Sequence, residues 1–329
     1  MMQPDFKDLK ELLSAVKTVD SALLFCHISP DGDTLGSALA LKIRLERMGI
    51  STQVAVGGEI PRKLARLPGA DEILLPGDEP KPFTAAIAVD VSDEMRLGSW
   101  LETYRRGEKQ LVIDHHGTNP LFGQVNAVDG DAPATAILIW RLFSLTEYPL
   151  TDPEALCLYT ALSTDTGNFI YKSTTPEAFR MMGELREAIQ DFESWSRLLF
   201  REKEIPFLLL LKSSLQSLTF FANGRGAGIS LTQDTLRLCG ANDTHRDGLV
   251  DYAIDAEGVQ VAYLASETAD GKTKFSLRSK VPLRVDLLAK ALGGGGHGQA
   301  AGATLPLPLP EAEKKIRQLL EELLTEAKA

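Results

Sequence analysis

Cysteine is scarce in this chain: Cys26, Cys157 and Cys239 are the only three among 329 residues. They lie in apolar surroundings without metal-finger spacing, which excludes a disulfide framework and points to small buried residues in a reducing compartment. Long hydrophobic runs are missing as well. The longest, such as FLLLL at 207–211, fall far short of the roughly 20 residues that cross a bilayer. There is no basic excess either, 35 Lys and Arg standing against 45 Asp and Glu for a formal net charge of −10. That balance excludes the broad basic surface of a general DNA-coating protein. The opening MMQPDFKDLK carries acids and no apolar core, so no secretory leader is expected and the expected location is cytoplasmic.

What is present is ordinary globular composition, 44% hydrophobic and 24% charged. The length exceeds one typical domain, so two are expected. From residue 21 short β-like runs alternate with helical stretches: SALLFC (21–26), a helix over 34–48, TQVAV (52–56), TAAIAV (84–89) and KQLVI (109–113). Such alternation predicts an α/β fold with a mostly parallel sheet flanked by helices, whose ligands bind beyond the carboxyl ends of the strands. Helices are predicted over 134–145, 153–162, 176–190 and 205–217. Near 218 the composition restarts with TFFA, GAGISL, VQVAYLA and TKFSLRS as strands and helices near 245–254, 286–292 and 309–327. The expected division is a first domain over 1–190, a helical connector over 191–217 and a smaller α/β domain over 218–329.

Four segments place Asp or His where an apolar run stops: HISPDGDTLGS (27–37), VDVSD (89–93), IDHHGTN (113–119) and STDTGNF (163–169). Taken singly they have bland readings. Asp33 would cap the helix that follows it, and Asp90 or Asp165 would merely end a strand or a turn. A dinucleotide loop is a rival for the first segment, yet it lacks the GxGxxG spacing and puts two carboxylates where a pyrophosphate would sit. Taken together the segments offer four carboxylates and two or three imidazoles, enough to hold two divalent cations. Two further features stand in the second half. Six basic residues, Lys272, Lys274, Arg278, Lys280, Arg284 and Lys290, face a single acid, Asp286. The run GGGGHGQ (293–299) reads either as a flexible linker or as a loop whose backbone approaches a phosphate, and its His and small-residue continuation favour the loop.

These motifs, with DHH at Asp114-His115-His116, resemble the DHH phosphoesterase superfamily. GGGGHGQAAGA (293–303), FSLRSK (275–280) and DGLVDYA (247–253) are similar to the DHH-associated C-terminal domain, so the resemblance covers nearly the whole chain. The similar branch is the NrnA-type group, nanoRNases that also remove the 3′-phosphate of 3′-phosphoadenosine 5′-phosphate (pAp). One departure is Cys26, where many members carry a polar residue before the first histidine.

The resemblance implies a two-metal site. His27, Asp31 and Asp90 would hold one ion, and Asp33, Asp90, His115 and Asp165 the other, Asp90 bridging. Mixed carboxylate and imidazole ligands suit Mn²⁺, with Mg²⁺ or Co²⁺ as alternatives. A water acidified between the ions would attack the phosphate. His116 would stabilise charge on the scissile phosphate and Asp114 would orient the two histidines. Arg278, Ser279, Gly295, Gly296 and His297 would read the rest of the substrate. Expected partners are short RNA oligonucleotides or small nucleotides, not long duplex DNA and not a membrane, and the resemblance suggests a homodimer. Rival readings are a cyclic-dinucleotide phosphodiesterase, a RecJ-like exonuclease, a pyrophosphatase, or an inactive nucleotide-binding regulator. The last usually loses a ligand, and here every ligand position is filled.

Overall fold

A computed structural model describes residues 6–326 and separates the chain into two compact units that meet between Glu202 and Lys203. The first contains α1 (Lys7–Val16), β1 (Ser21–Cys26), α2 (Gly32–Arg47), β2 (Ser51–Val56), β3 (Ala85–Val89), α3 (Leu101–Arg105), β4 (Lys109–Asp114) and β5 (Val125–Val128). It continues through α4 (Thr135–Ser144), α5 (Asp152–Asp165), α6 (Pro176–Ala188) and α7 (Phe192–Ser196). The five strands form one wholly parallel sheet in the order β2-β1-β3-β4-β5. Successive residues of a strand point to opposite faces. Thus Ala22, Leu24 and Cys26 of β1 join the layer of α1, α2, α4 and α5, whereas Leu23 and Phe25 meet Leu97, Trp100 and Tyr104 on the other side. The apolar content of the strands is continuous because both faces are covered.

The order of the strands matters for function. From β1 the chain goes outward to β2 and then crosses back to β3, so a crevice opens between the carboxyl ends of β1 and β3, the usual place for a ligand in an open α/β sheet.

The second unit contains α8 (Ile205–Ser217), β6 (Thr219–Phe221), β7 (Gly226–Leu231), α9 (Gln233–Leu238), α10 (Asp251–Ile254), β8 (Val261–Glu267) and β9 (Thr273–Ser279). α11 (Val285–Ala291), β10 (Gly295–His297), β11 (Ala300–Leu305) and α12 (Leu309–Glu326) complete it. Its mixed sheet runs β10-β11-β9-β8-β7-β6, with β7 and β8 parallel and the other pairs antiparallel. Ala312, Ile316, Leu320 and Leu324 repeat every four residues along α12 and bury one stripe against one face. α8, α9 and α10 cover the other.

Several elements differ from the sequence expectation. β5, β10 and β11 were not anticipated, β10 and β11 being built largely of Gly and Ala, residues of low strand propensity. The helix expected over 245–254 breaks at Gly248, whose φ of 79° lies in the left-handed region, into a short turn and the four residues of α10. The expected connector is shared out. Phe192 and Trp195 pack on the core of the first unit, and Leu210 is buried in the second. Among the described residues no helix is long and apolar enough to cross a membrane.

Candidate metal centre

β1 stays apolar through Cys26 and delivers His27, which is buried, at its carboxyl end. The turn that follows is closed by Asp31, whose Oδ1 accepts from the backbone N–H groups of Asp33 at 3.0 Å and Thr34 at 3.1 Å. The cap of α2 is therefore Asp31 and not Asp33, because Asp33 already lies in the first helical turn. Freed from capping its own helix, Asp33 caps another. Its carboxylate accepts from the backbone N–H groups of Thr135 (2.6 Å) and Ala136 (3.1 Å) at the start of α4, and from the Ser37 hydroxyl at 2.9 Å.

Asp90 follows β3 with a φ of 59°, a left-handed conformation that a non-glycine residue rarely takes and that tends to mark functional sites. Its N–H donates to the Ile113 carbonyl at 2.9 Å and its Oδ1 accepts from the Thr135 hydroxyl at 2.9 Å. Asp165 is the last residue of α5, brought in by close packing of α5 on α2. A Cβ at Gly32 would collide with the Thr164 side chain, and one at Gly36 with the Cys157 carbonyl. Those two glycines, one turn apart, let the helices approach until the end of α5 reaches the first turn of α2.

The histidines converge on these carboxylates. His27 Nε2 lies 3.8 Å from Asp31 Oδ2 and 3.7 Å from Asp90 Oδ2. His115 Nε2 lies 3.5 Å from Asp165, 3.6 Å from Asp90 Oδ1 and 3.8 Å from Asp33. The two oxygens of Asp90 therefore face different histidines. His115 Nδ1 is 3.1 Å from the Ala132 carbonyl, a contact that selects the tautomer with a proton on Nδ1 and leaves Nε2 with its lone pair. His116 Nδ1 bonds Asp114 Oδ1 at 2.7 Å, and Asn119 donates to the other Asp114 oxygen at 2.6 Å while also reaching the Val91 carbonyl at 3.0 Å. Asp114 thus holds His116 directly, whereas His115 is oriented by Ala132. Among the described residues three groups could hold a metal ion: His27 with Asp31 and Asp90; Asp33 with His115 and Asp165; and Asp90 with His115 and His116.

The electrostatics fit a cation. Burial pushes Asp33 and Asp90 well above the ordinary carboxylate range, and neighbouring carboxylates push the same way: Asp165 and Asp31 on Asp33, then Asp33, Asp31 and Asp114 on Asp90. Burial raises Asp165 too, against the pull of His115. Burial lowers His27 to about 4, so its ring is neutral at physiological pH. Neither ring nitrogen of His27 has a hydrogen bond: Nδ1 is buried without a partner and Nε2 is beyond hydrogen-bond reach of the carboxylates. An imidazole left so is costly. The spacings of 3.5–3.8 Å are those that two ligands, each about 2.0–2.2 Å from a shared ion, roughly leave between them. The donor set of carboxylates and imidazoles therefore fits divalent metal. Burial pushes the Cys26 thiol up to about 12, which keeps a thiolate out of the set.

In the second unit, Arg278 at the end of β9 pairs in register with Ala300, and Ala300 also faces His297 across the β10–β11 hairpin. Arg278 Nε donates to Asp251 at 3.2 Å, and the buried Ser279 hydroxyl donates to the Leu283 carbonyl at 2.9 Å. The His297 side chain lies outside the described residues. The glycine run is a strand edge, not a linker: a Cβ at Gly294 or Gly296 would strike the backbone of β11. Gly295 has open space instead.

Three residues near the first-unit site carry no mark in a sequence reading. Thr135 touches Asp33 through its N–H and Asp90 through its hydroxyl. Asn119 sits inside the IDHHGTN segment, so only its role was hidden. Arg96, whose carbonyl accepts from Ile28 N–H at 2.9 Å, adds by its charge to the burial that lowers His27 and opposes the Asp114 bond that raises His116. Among the described residues it pairs with no carboxylate, and nothing in its local sequence signals this.

Comparison with known proteins agrees with this geometry. Residues 21–162 match the DHH family, N-terminal domain, and residues 237–326 match the DHHA1 domain. The chain is 32% identical over 299 residues to the bifunctional oligoribonuclease and PAP phosphatase NrnA of Thermus thermophilus, covering 89% of this chain and 87% of that protein. It is 29% identical over 288 residues to a probable bifunctional oligoribonuclease and PAP phosphatase NrnA of Streptococcus mutans, covering 87% and 90%. The crystal structure of an exopolyphosphatase-related protein from Bacteroides fragilis shares the fold, with a TM-score of 0.89 over 100% of both chains at 24% identity. With the DHH triplet at the end of β4, the DHHA1 match in the second unit and relatives aligned over most of its length, the chain belongs to the DHH phosphoesterase family.

Proposed function

We propose that this protein is a metal-dependent phosphoesterase that releases mononucleotides from short oligoribonucleotides and the 3′-phosphate from pAp. The observation that carries the reading is Asp90, whose two oxygens face His27 and His115 separately. His27, Asp31 and Asp90 would hold one divalent ion, and Asp33, Asp90, His115 and Asp165 a second, Mn²⁺ suiting the mixed ligands best. When bound there, the ions would supply Lewis-acid polarisation of a phosphoryl oxygen and an acidified water as nucleophile.

The chain's own residues do the rest. Asp114 accepts from His116 Nδ1 and raises its pKa, so His116 keeps a second proton to higher pH. Its Nε2–H is then free to donate to a phosphoryl oxygen that gains charge during the reaction. Burial raises Asp114, but the hydrogen bonds from His116 and Asn119 outweigh it, and it stays a carboxylate able to hold that proton. In the second unit, Arg278 has the guanidinium fork to grip a phosphate, and Gly295, Gly296 and His297 of β10 would complete the substrate-reading surface, whereas Ser279, expected to join them, is buried with its hydroxyl on the Leu283 carbonyl. A homodimeric, cytoplasmic enzyme is part of the same reading. The named activities of the Thermus and Streptococcus relatives support the substrate class.

The test is a product-release panel with Mn²⁺, Mg²⁺ or chelator over pAp, pApA, oligoribonucleotides of about two to five and about twenty residues, cyclic di-AMP and pyrophosphate. Turnover should need metal, prefer Mn²⁺, and fall steeply between the short and long oligomers. Equal rates at all lengths, or pyrophosphate as the best substrate, would sink the reading.

A further inference from the structure

Immediately past Asp165 the backbone takes a course that neither the acidic cluster nor the core demands. Gly167, Asn168 and Phe169 adopt left-handed conformations in succession, with φ of 56°, 55° and 67°. Glycine does this freely and asparagine tolerates it, but a phenylalanine there is unusual and held in place by its surroundings. The holding bonds run back to the end of α5. Asn168 N–H donates to the Ser163 carbonyl at 2.6 Å, Phe169 N–H to the Thr166 hydroxyl at 3.1 Å, and the N–H groups of Ile170 and Tyr171 to the Thr166 carbonyl at 3.1 and 3.0 Å.

The turn sorts its side chains. Phe169 goes inward and stacks on Phe179, ring centroids 5.3 Å apart. Ile170 and Tyr171 go outward, 82% and 59% exposed. Yet the Tyr171 ring is not loose. A Cβ at Gly167 would lie 2.5 Å from two of its ring carbons, so part of the ring rests on the glycine backbone two residues beyond Asp165. A rigid aromatic surface stands open to solvent beside a cluster that handles phosphate. Apolar surface so displayed gains nothing for the fold.

We propose that Tyr171, with Ile170 beside it, is a nucleobase platform, on which the base of a nucleotide stacks while its phosphate lies at the acidic cluster. This rests on the reading of the protein as a nucleotide phosphoesterase. Of the parts of such a substrate, the phosphate is served by the cluster and the ribose has no π face. The base alone gains from a flat ring, and it does so with little regard to which base it is. Gly167 is what allows the ring to rest on the backbone two residues past Asp165.

The experiment measures equilibrium binding of adenosine 5′-monophosphate and of ribose 5-phosphate to the Mn²⁺-loaded protein by calorimetry, in wild type, Tyr171→Ala, Tyr171→Phe and Tyr171→Trp. Wild type should bind the nucleotide more tightly than the sugar phosphate by roughly five- to a hundredfold. Tyr171→Ala should erase most of that gap and leave ribose 5-phosphate binding unchanged, while the two aromatic variants keep it. If wild type binds both ligands equally, or if the alanine variant loses affinity for both alike, there is no platform. Turnover of pAp by wild type is read separately, and its absence would overturn the proposed function while the binding comparison still decides the platform.

Discussion

Helix α2 ends in buried charge on both sides, and the two ends are handled in opposite ways. At its carboxyl end Arg44 grips Glu154 with both arms, Nε to Oε1 at 2.7 Å and Nη2 to Oε2 at 3.2 Å, and Arg47 adds a bond of 2.7 Å. Thr151 caps the same carboxylate through its N–H and its hydroxyl, and Arg44 lies over the Phe143 ring at 3.9 Å. Burial alone would raise Glu154, but the bonds from Arg44 and Thr151 outweigh it and its pKa is lowered. At the amino end Asp33 and Asp90 have backbone and hydroxyl donors but no cation, and their pKa values rise. Both sites take carboxylate out of water. One is complete within the polypeptide and is structure; the other lacks its positive partner, which is what a metal site looks like from the protein's side.

The comparison can be broken most directly at Asp90. Asp90→Ala removes the residue that faces both histidine sets, and if each ion is worth several kcal/mol of transition-state stabilisation, kcat/KM should fall by roughly 10⁴-fold or more. Bound metal, measured by elemental analysis, should fall with it. Full activity in that variant would end the two-ion reading.

Glu154→Ala tests the other end. It leaves Arg44 buried without a carboxylate and should cost about 3–5 kcal/mol in denaturant unfolding, while metal content and activity per folded molecule stay near wild type. A loss of metal in that variant would mean that the two ends of α2 are not separable.

Thr135→Val should sharpen the picture at smaller scale. Its N–H to Asp33 remains, but the hydroxyl bond to Asp90 is gone, so Mn²⁺ affinity should weaken by about 10- to 100-fold. Thr135→Ser should restore it. If valine binds Mn²⁺ as well as threonine does, the hydroxyl positions nothing.

The smallest effect is in pH dependence. Folded-state pKa values of Asp33 and Asp90 are raised, so the stability they contribute is full below the unfolded carboxylate pKa of about 3.9 and is lost as pH rises through the folded values. Glu154 runs the other way: its lowered pKa contributes stability above about 4.3 that is lost as pH falls through the folded value. As pH rises above the ordinary carboxylate range the metal-free Tm should therefore drop by a few degrees relative to the Mn²⁺-loaded protein. A gap that does not change with pH would remove the carboxylate cluster as its source.

Much of this site was legible before the fold was known. An apolar run that stops at Asp or His marks a strand end, and a parallel sheet gathers strand ends at one edge, so His27, Asp90 and the DHH triplet could be assigned together. The family resemblance added the pairing of ligands into two ions. Helices α2, α4, α5 and α6 were legible in the sequence, whereas α1 and α3 were not anticipated, and neither was the hairpin of β10 and β11, since Gly and Ala make strands only when a neighbour pairs with them.

What the sequence by itself determined is the chemistry on offer: carboxylates, imidazoles and glycines in fixed chain order, with local patterns strong enough to place them on strand ends and helix starts. Which donor meets which acceptor was decided only by tertiary structure. Asp33 caps α4 from 102 residues away, and Thr135 reaches Asp90 across 45. Gly36 matters because Cys157 lies against it. These relations depend on how helices pack on the sheet, and packing is a property of the whole core rather than of any window of residues. A residue's type tells what it can bond; only the fold supplies the partner.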